Sequence, residues 1–281
     1  MPEQIESHEN AQVAISQPTR RKVEFQEIVV SGWRTGALDI AVQGRRVISV
    51  PTQLGCTVGC TFCISSQAPL VRNLTLQEMT EMVNACLVAH PPDGRPIELS
   101  FTGEGEALLN WRECTRLVES LPALSTDFQS VRYCFSGIGA RQLLARVGTG
   151  AYPVRIQFSL HCARPLLRSQ LIPKSAPLED VRLALQANES RFKAIELNVV
   201  LQDGVNDSDA DLEALCQWGS LHWPIVLSPL LQDGMERIGR RTDEFEAVLR
   251  AHGRLVKRYR AVAADISRQR IYPLLRSRNP G

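Results

Sequence analysis

The chain has 281 residues, 44% hydrophobic and 22% charged, with 18 Gly, 16 Pro and 8 Cys, which excludes the collagen-like, low-complexity and disordered classes. Eight cysteines over that length fall short of the roughly 8–10% density of a small disulfide-stapled secreted domain, and no apolar run approaches the roughly 20 residues that cross a bilayer. The formal net charge of +2 hides an asymmetry: from Arg250 onward nine Lys or Arg face one acid, Asp265, so that end carries +8 and the remainder −6. A basic end of this kind draws anions.

Residues 1–22 are polar and without apolar periodicity, which predicts a flexible tail. The start MPEQIESHENAQ lacks the basic end and apolar stretch of a signal peptide, so the expected compartment is the cytoplasm, with no membrane partner. In that reducing compartment, clustered cysteines point to metal or redox chemistry before disulfides.

From residue 23 a single domain is expected to run to 281. Within 23–50, the segments FQEIVVSGW, GALDIAVQ and RRVISVPTQL read as a β-hairpin extension leading into a first core strand. Residues 51–253 then alternate. Helix-period segments near 75–89, 110–122, 140–147, 178–190, 208–218 and 243–253 interleave with short apolar strands near 97–102, 130–135, 154–160, 195–201 and 224–230. Thr75 with Glu78 forms a capping box, and Gly219 stands where a helix ending at Trp218 needs a left-handed residue.

With the strand before Cys56, that makes six strand-then-helix units. The fold class is α/β, a partial (β/α)6 barrel, because six units are too few for the closed eight-stranded form. Residues 254–281 are expected to be a basic C-terminal segment.

The chemistry concentrates in LGCTVGCTFCISS, where Cys56, Cys60 and Cys63 are spaced C-x3-C-x2-C directly after a strand. Active sites of βα folds are built at that strand edge. Gly55 and Gly59 let the backbone wrap tightly around a compact inorganic core. Three thiolates without a fourth local cysteine leave one iron of a [4Fe–4S] cluster open to a non-protein ligand. A structural zinc would want a closed set of four. The other five cysteines are scattered.

The motif, with Phe62 before its last cysteine, resembles the cluster motif of the radical S-adenosylmethionine (SAM) superfamily. Further segments narrow the resemblance to the RlmN/Cfr-type branch of RNA adenine methyltransferases: GEGEALLN at 103–110, SG at 136–137, FSLHCARPLLRSQLIPKS at 158–175 and ELNVVLQDGVND at 196–207. The similarity spans roughly residues 25–265.

The resemblance implies that Cys56, Cys60 and Cys63 ligate a [4Fe–4S] cluster whose open iron chelates SAM. It places Gly103, Gly105 and Glu106 in the loop that meets the methionine amino group, and Ser136, Ser159 and His161 along the SAM site. A carboxylate at a strand end suits an ammonium. Glu104 departs from the family's apolar residue, and alternation puts it on the side of Glu106, where it would meet a substrate amine or hydroxyl. Cys162, next to His161, is a candidate hydrogen donor or unconventional acceptor.

Other departures redirect the chemistry. The two cysteines of the family's methyl shuttle fall on Arg270 and Ser49. The accessory RNA-binding domain ahead of the barrel is expected to be missing, and Ser228 or Gln232 stands in for the family's Asn after strand six. Without an acceptor thiol, the remaining chemistry is the superfamily's common step: reductive cleavage of SAM to a 5′-deoxyadenosyl radical that abstracts hydrogen from a bound substrate. Arg270, with Arg268 nearby, matches a carboxylate or phosphate, so the expected partners are a small anionic substrate and an electron donor such as flavodoxin or ferredoxin. Two alternatives stay open: an RNA-modifying relative that uses the basic end on phosphates, and a non-catalytic iron–sulfur protein.

Overall fold

The structure, a computed structural model, describes residues 22–259 apart from 31, 43, 68, 69, 149, 233 and 234. The expected hairpin is β1 (Lys22–Val30) against β2 (Trp33–Val42), antiparallel, and β2 pairs antiparallel with β3 (Arg45–Val50). Gly36 is required in this ribbon: a Cβ there would lie 2.1 Å from the Gln26 carbonyl oxygen. A buried ion pair ties the ribbon to the body. Arg46 donates to both carboxylate oxygens of Asp39 at 2.7 and 2.6 Å and also to the carbonyls of Cys86 and His90, at the end of α1 (Leu76–Ala89).

From β3 the sheet is parallel and strictly sequential: β4 (Ile97–Phe101), β5 (Phe128–Phe135), β6 (Val154–Ser159), β7 (Ala194–Val200), β8 (Ile225–Ser228) and β9 (Val256–Arg258). The connecting helices are α2 (Trp111–Leu124), α3 (Ala140–Leu143), α4 (Pro165–Leu171), α5 (Leu178–Asn188), α6 (Asp209–Gln217) and α7 (Thr242–Ala251). The six expected units are all present, and β9 adds a seventh parallel strand beyond residue 253, where the barrel was expected to end. Two short antiparallel ribbons flank the strand ends, Gln53–Leu54 with Arg72–Asn73 and Leu230–Gln232 with Met235–Arg237.

Local chemistry sets these boundaries. The Thr75–Glu78 capping box starts α1, and a second box, Ser208 with Asp211, starts α6. Gly219 takes φ 70° just past the Trp218 cap. The face of the sheet beneath the helices is apolar, with Ile48, Leu99, Val131, Ile156 and Leu197 all essentially inaccessible to solvent.

The opposite face differs. Ile40, Ser49, Ser100, Arg132, Gln157, Asn198 and Ser228, drawn from β2 through β8, line one cavity of about 480 Å³. Laid flat at about 4.8 Å per strand, those seven strands would span roughly 30 Å. A single cavity touches all of them only because the sheet curls around it. Polar and charged side chains stand among apolar ones in this lumen, whereas a closed barrel of this type is filled with branched apolar side chains.

The basic end is in part built into the body. Arg250 and Arg258 pair with Glu246, Lys257 pairs with Glu196 at 2.6 Å, and buried Arg254 donates to the carbonyls of Cys216, Trp218 and Ser220. Arg268 and Arg270 lie outside the described residues. Among the described residues no helix is long and apolar enough to cross a membrane.

Candidate active site

Cys56, Cys60 and Cys63 follow the Gln53–Leu54 ribbon in a loop that borders a second cavity, about 170 Å³, at the C-terminal edge of the sheet. This cavity adjoins the lumen: Phe62, Cys63, Ser65, Thr102, Gly103 and His161 line both. The loop is held from behind by a satellite apolar cluster of Val58, Cys162, Leu171 and Ile172, against which Cys56, Cys60 and Phe62 pack. Thr61 N–H donates to the Leu171 carbonyl at 3.0 Å, which couples the loop to α4.

The acidic loop meets the cysteines across the small cavity. Gly103, Glu104, Gly105 and Glu106 all border it, at φ 136° for Gly103 and 97° for Gly105. A Cβ on Gly105 would fall 2.6 Å from the Gln53 Cβ, so the sequence must supply glycine there. Gln53 is fully buried. It receives the Glu106 N–H at 2.8 Å and donates to Asn73 at 2.7 Å, which locks the loop to the ribbon.

The Glu106 carboxylate accepts from the Ser136 N–H at 2.8 Å, the Ser136 hydroxyl at 2.6 Å and the Leu108 N–H at 3.2 Å. Burial nevertheless dominates and pushes its pKa up to about 7, against those stabilising bonds. A cation entering the cavity would restore the ionised form.

His161 sits at the junction of the two cavities, 5% exposed, with φ 55°, a left-handed conformation that costs a non-glycine residue energy. Its N–H donates to the Asn198 carbonyl, and Asn206 donates to the His161 carbonyl at 2.7 Å, which holds the strained residue in place. Its Nδ1 accepts from Val200 N–H at 3.2 Å, so the ring proton belongs on Nε2. Burial, aided by Arg168, lowers its pKa to about 3, and the ring is neutral at physiological pH. Phe62 packs edge-on against it at 4.8 Å.

The donor set fits an iron–sulfur cluster. All three thiols are free and border one cavity. Burial pushes Cys56 up to about 11 and Cys60 higher still, and the neighbouring thiols and Glu106 add to both shifts. Such groups stay protonated unless a metal supplies the positive charge, as coordination does. No group of three His, Cys, Asp or Glu among the described residues is placed to hold a single metal ion. Ligands bound to separate irons of a cluster need no such shared point. Cys134 also borders the cavity from β5, but its sulfur engages Thr102 Oγ1 at 2.9 Å and Gln157 Oε1 at 3.3 Å.

The expected residues therefore divide. The structure brings together the three cysteines, Gly103, Glu104, Gly105, Glu106, Ser136, Ser159 and His161 around the small cavity. Ser228 lies in the larger lumen, where its hydroxyl donates to Asn198 Oδ1 at 2.6 Å. Cys162 borders neither cavity: it is buried behind the loop, its sulfur against Asp211 Oδ1 at 3.5 Å and the Arg164 carbonyl at 3.7 Å. That burial sets it apart from the residues that line the two cavities.

Sequence reasoning passes over Gln53, Asn206, Arg168 and the lumen charges. Arg132 bridges Glu98 at 3.0 Å and Glu196 at 2.7 Å, with Arg45 at 4.0 Å and Arg155 at 3.8 Å from Glu98. Three arginines thus meet two carboxylates, and of these five residues Arg45, Glu98 and Arg132 line the lumen. The signal was present as alternation in IELSFT, VRYC, VRIQFS and IELN, where every second residue is polar.

No protein-family model matches the chain. It is 32% identical over 175 residues, 59% of its length, to a probable dual-specificity RNA methyltransferase RlmN of Chlorobium phaeobacteroides, covering 48% of that protein. A Symbiobacterium thermophilum protein of the same description is 30% identical over 224 residues, 73% of this chain and 58% of that one. The chain spans about half the length of the curated relatives it matches. A radical SAM methyltransferase from Sphaerobacter thermophilus superposes with a TM-score of 0.75 at 26% identity, covering 89% of this chain and 79% of that one. By sequence and by fold, the chain is a relative of the RlmN-type radical SAM methyltransferases, a family that uses a [4Fe–4S] cluster and SAM.

Proposed function

We propose that this chain is a radical SAM enzyme that abstracts hydrogen from a small anionic substrate, a carboxylate, phosphate or nucleotide of specialised metabolism, without a cysteine-borne methyl shuttle. The observation that carries this reading is the lumen of about 480 Å³ that adjoins the cysteine cavity and carries Arg45 and Arg132, with one carboxylate, Glu98, among apolar walls. A volume of that order accommodates a small molecule.

Bound together, a [4Fe–4S] cluster and SAM supply reductive cleavage of the sulfonium, giving a 5′-deoxyadenosyl radical as hydrogen abstractor. The chain's own groups do the rest. Cys56, Cys60 and Cys63 would hold the cluster. Glu106, fixed by Ser136, would pair with the methionine ammonium, and the glycines beside it would allow the backbone to approach. His161 would donate from Nε2 at the seam between cofactor and substrate spaces. Arg45 and Arg132 would draw the anionic end of the substrate down the lumen, and the curled sheet would exclude water. Ser49, where the shuttle would need a thiol, lines the lumen with a hydroxyl that donates to the Thr102 carbonyl at 2.8 Å. Eight free thiols support a cytoplasmic setting with a flavodoxin or ferredoxin as electron donor.

A second reading, an RNA-modifying methyltransferase, draws on the relatives' printed names and on the basic chain end. Substrate-stimulated formation of 5′-deoxyadenosine separates the two. Small carboxylates, phosphates and nucleotides should stimulate it in a salt-tolerant way. Stimulation by RNA alone, lost steeply with salt, would replace the first reading by the second.

A further inference from the structure

Arg168, on α4, is a fully charged side chain only 2% exposed, and no carboxylate among the described residues pairs with it. Its Nε donates to the Leu160 carbonyl at 2.9 Å, and its Nη2 to the carbonyls of Ser136 at 2.7 Å and Ser159 at 2.8 Å. Its plane lies over the Phe158 ring at 4.9 Å. Carbonyls and a ring face supply dipoles to this guanidinium but no full negative charge. Taking such a charge out of water is expensive, and folded proteins keep one where an anion offsets it.

Arg46 has Asp39 and part-buried Arg132 has Glu98 and Glu196, whereas Arg254, as buried as Arg168 and likewise bonded to carbonyls, has only Cys216 in electrostatic reach; what distinguishes Arg168 is its neighbour in the cysteine motif. The sulfurs of Cys60 and Cys162 lie in electrostatic reach of Arg168, as does the neutral His161 ring. Cys162 packs behind the loop, and Cys60 belongs to the cysteine motif itself. The α4 helix that carries Arg168 is bonded to the same loop through Thr61 and Leu171. The negative charge that Arg168 is placed to offset is therefore that of the three-cysteine centre.

We propose that Arg168 is the built-in counter-charge of that centre, a positioning residue that offsets its thiolates and holds its reduction potential up. The inference rests on the reading that Cys56, Cys60 and Cys63 hold an iron–sulfur cluster. One-electron reduction places one further negative charge on the cluster, the electron comes from the electrode, and no bond forms or breaks. A fixed positive charge in a low-dielectric surround favours that reduced state. Arg168 touches neither substrate nor reacting atoms; it acts through the potential and through the carbonyls it holds in register.

The test is mediated spectroelectrochemistry on the anaerobically reconstituted full chain, without SAM, for the wild type, Arg168→Gln and Arg168→Lys. Removal of the charge in Arg168→Gln should cut the equilibrium constant for reduction at least about tenfold, a midpoint about 59 mV more negative. Arg168→Lys should stay near the wild type. Unchanged midpoints in Arg168→Gln overturn the proposal, as does an equal fall in both variants, which would mark a purely geometric role. Should Arg168→Gln fail to retain iron, retention restored by Arg168→Lys supports the charge, and loss in both variants overturns it. A wild-type chain that takes up no cluster is a separate result and removes the underlying reading.

Discussion

The two faces of the parallel sheet use the same strands for opposite purposes. Along β4, Leu99 and Phe101 enter the apolar layer under the helices, while Glu98 and Ser100, one residue away, border the lumen. Along β5 and β6 the pattern repeats, with Tyr133 and Ile156 outward and Arg132 and Gln157 inward. A strand buried on both sides would read as one apolar run. Polar side chains at the inward positions of β4, β5 and β6 help turn the inside of this barrel from a packed core into a chamber.

The largest contrast comes from matched substitutions on β4. Phe101→Ala, on the helix side, should cost roughly 3–5 kcal/mol in urea unfolding. Ser100→Ala, on the lumen side, should cost about 1 kcal/mol, the net worth of one hydrogen bond to Thr102. Equal losses would break the division between the faces.

Arg132→Met probes the lumen charges directly. It leaves Glu98 and Glu196 without their shared partner, and a loss of roughly 2–4 kcal/mol is expected. The sign with pH follows from Glu196. Burial raises its pKa, but Arg132 and Lys257 more than reverse this and hold it below the ordinary 4.5. Its contribution is therefore full above that value and lost as pH falls through the depressed folded pKa. Wild type and Arg132→Met should converge in stability on acidification, measured by unfolding across the acid range.

At the site, SAM binding to the reconstituted chain should weaken as pH falls through about 7, because protonation of Glu106 removes the partner of the methionine ammonium. Glu106→Gln should bind at least about tenfold more weakly and lose that pH dependence, as read by equilibrium dialysis. The smallest effect belongs to Cys162→Ala. With its sulfur turned toward Asp211 and away from both cavities, 5′-deoxyadenosine formation should change less than about twofold. A loss beyond that would return Cys162 to the chemistry.

Much of this was legible in the residues, and the misses have physical causes. Units with strong period and caps, such as α1 behind Thr75 and α6 before Gly219, fall where expected. The α4 helix escaped because it has seven residues, opens on Pro165 and carries no long apolar stripe. The β9 strand was read as basic segment because Val-Lys-Arg looks like charge, yet Val256 is buried and Lys257 pairs with Glu196. The cysteines were marked by their spacing, and Glu106 and His161 by the family resemblance together with their strand-end positions. Gln53 and Arg168 were not, since what they do depends on carbonyls and N–H groups brought near only by folding. Taking the strands as simply apolar hid the chamber, although the alternation was in the sequence.

The most direct measurement is anaerobic reconstitution with iron and sulfide, followed by SAM and dithionite, with 5′-deoxyadenosine quantified by chromatography. The wild type should carry about four irons per chain and release 5′-deoxyadenosine, and Cys56→Ala, Cys60→Ala and Cys63→Ala should each abolish the product. A fully loaded wild-type chain that never forms 5′-deoxyadenosine would contradict the radical assignment and leave an iron–sulfur protein without catalysis.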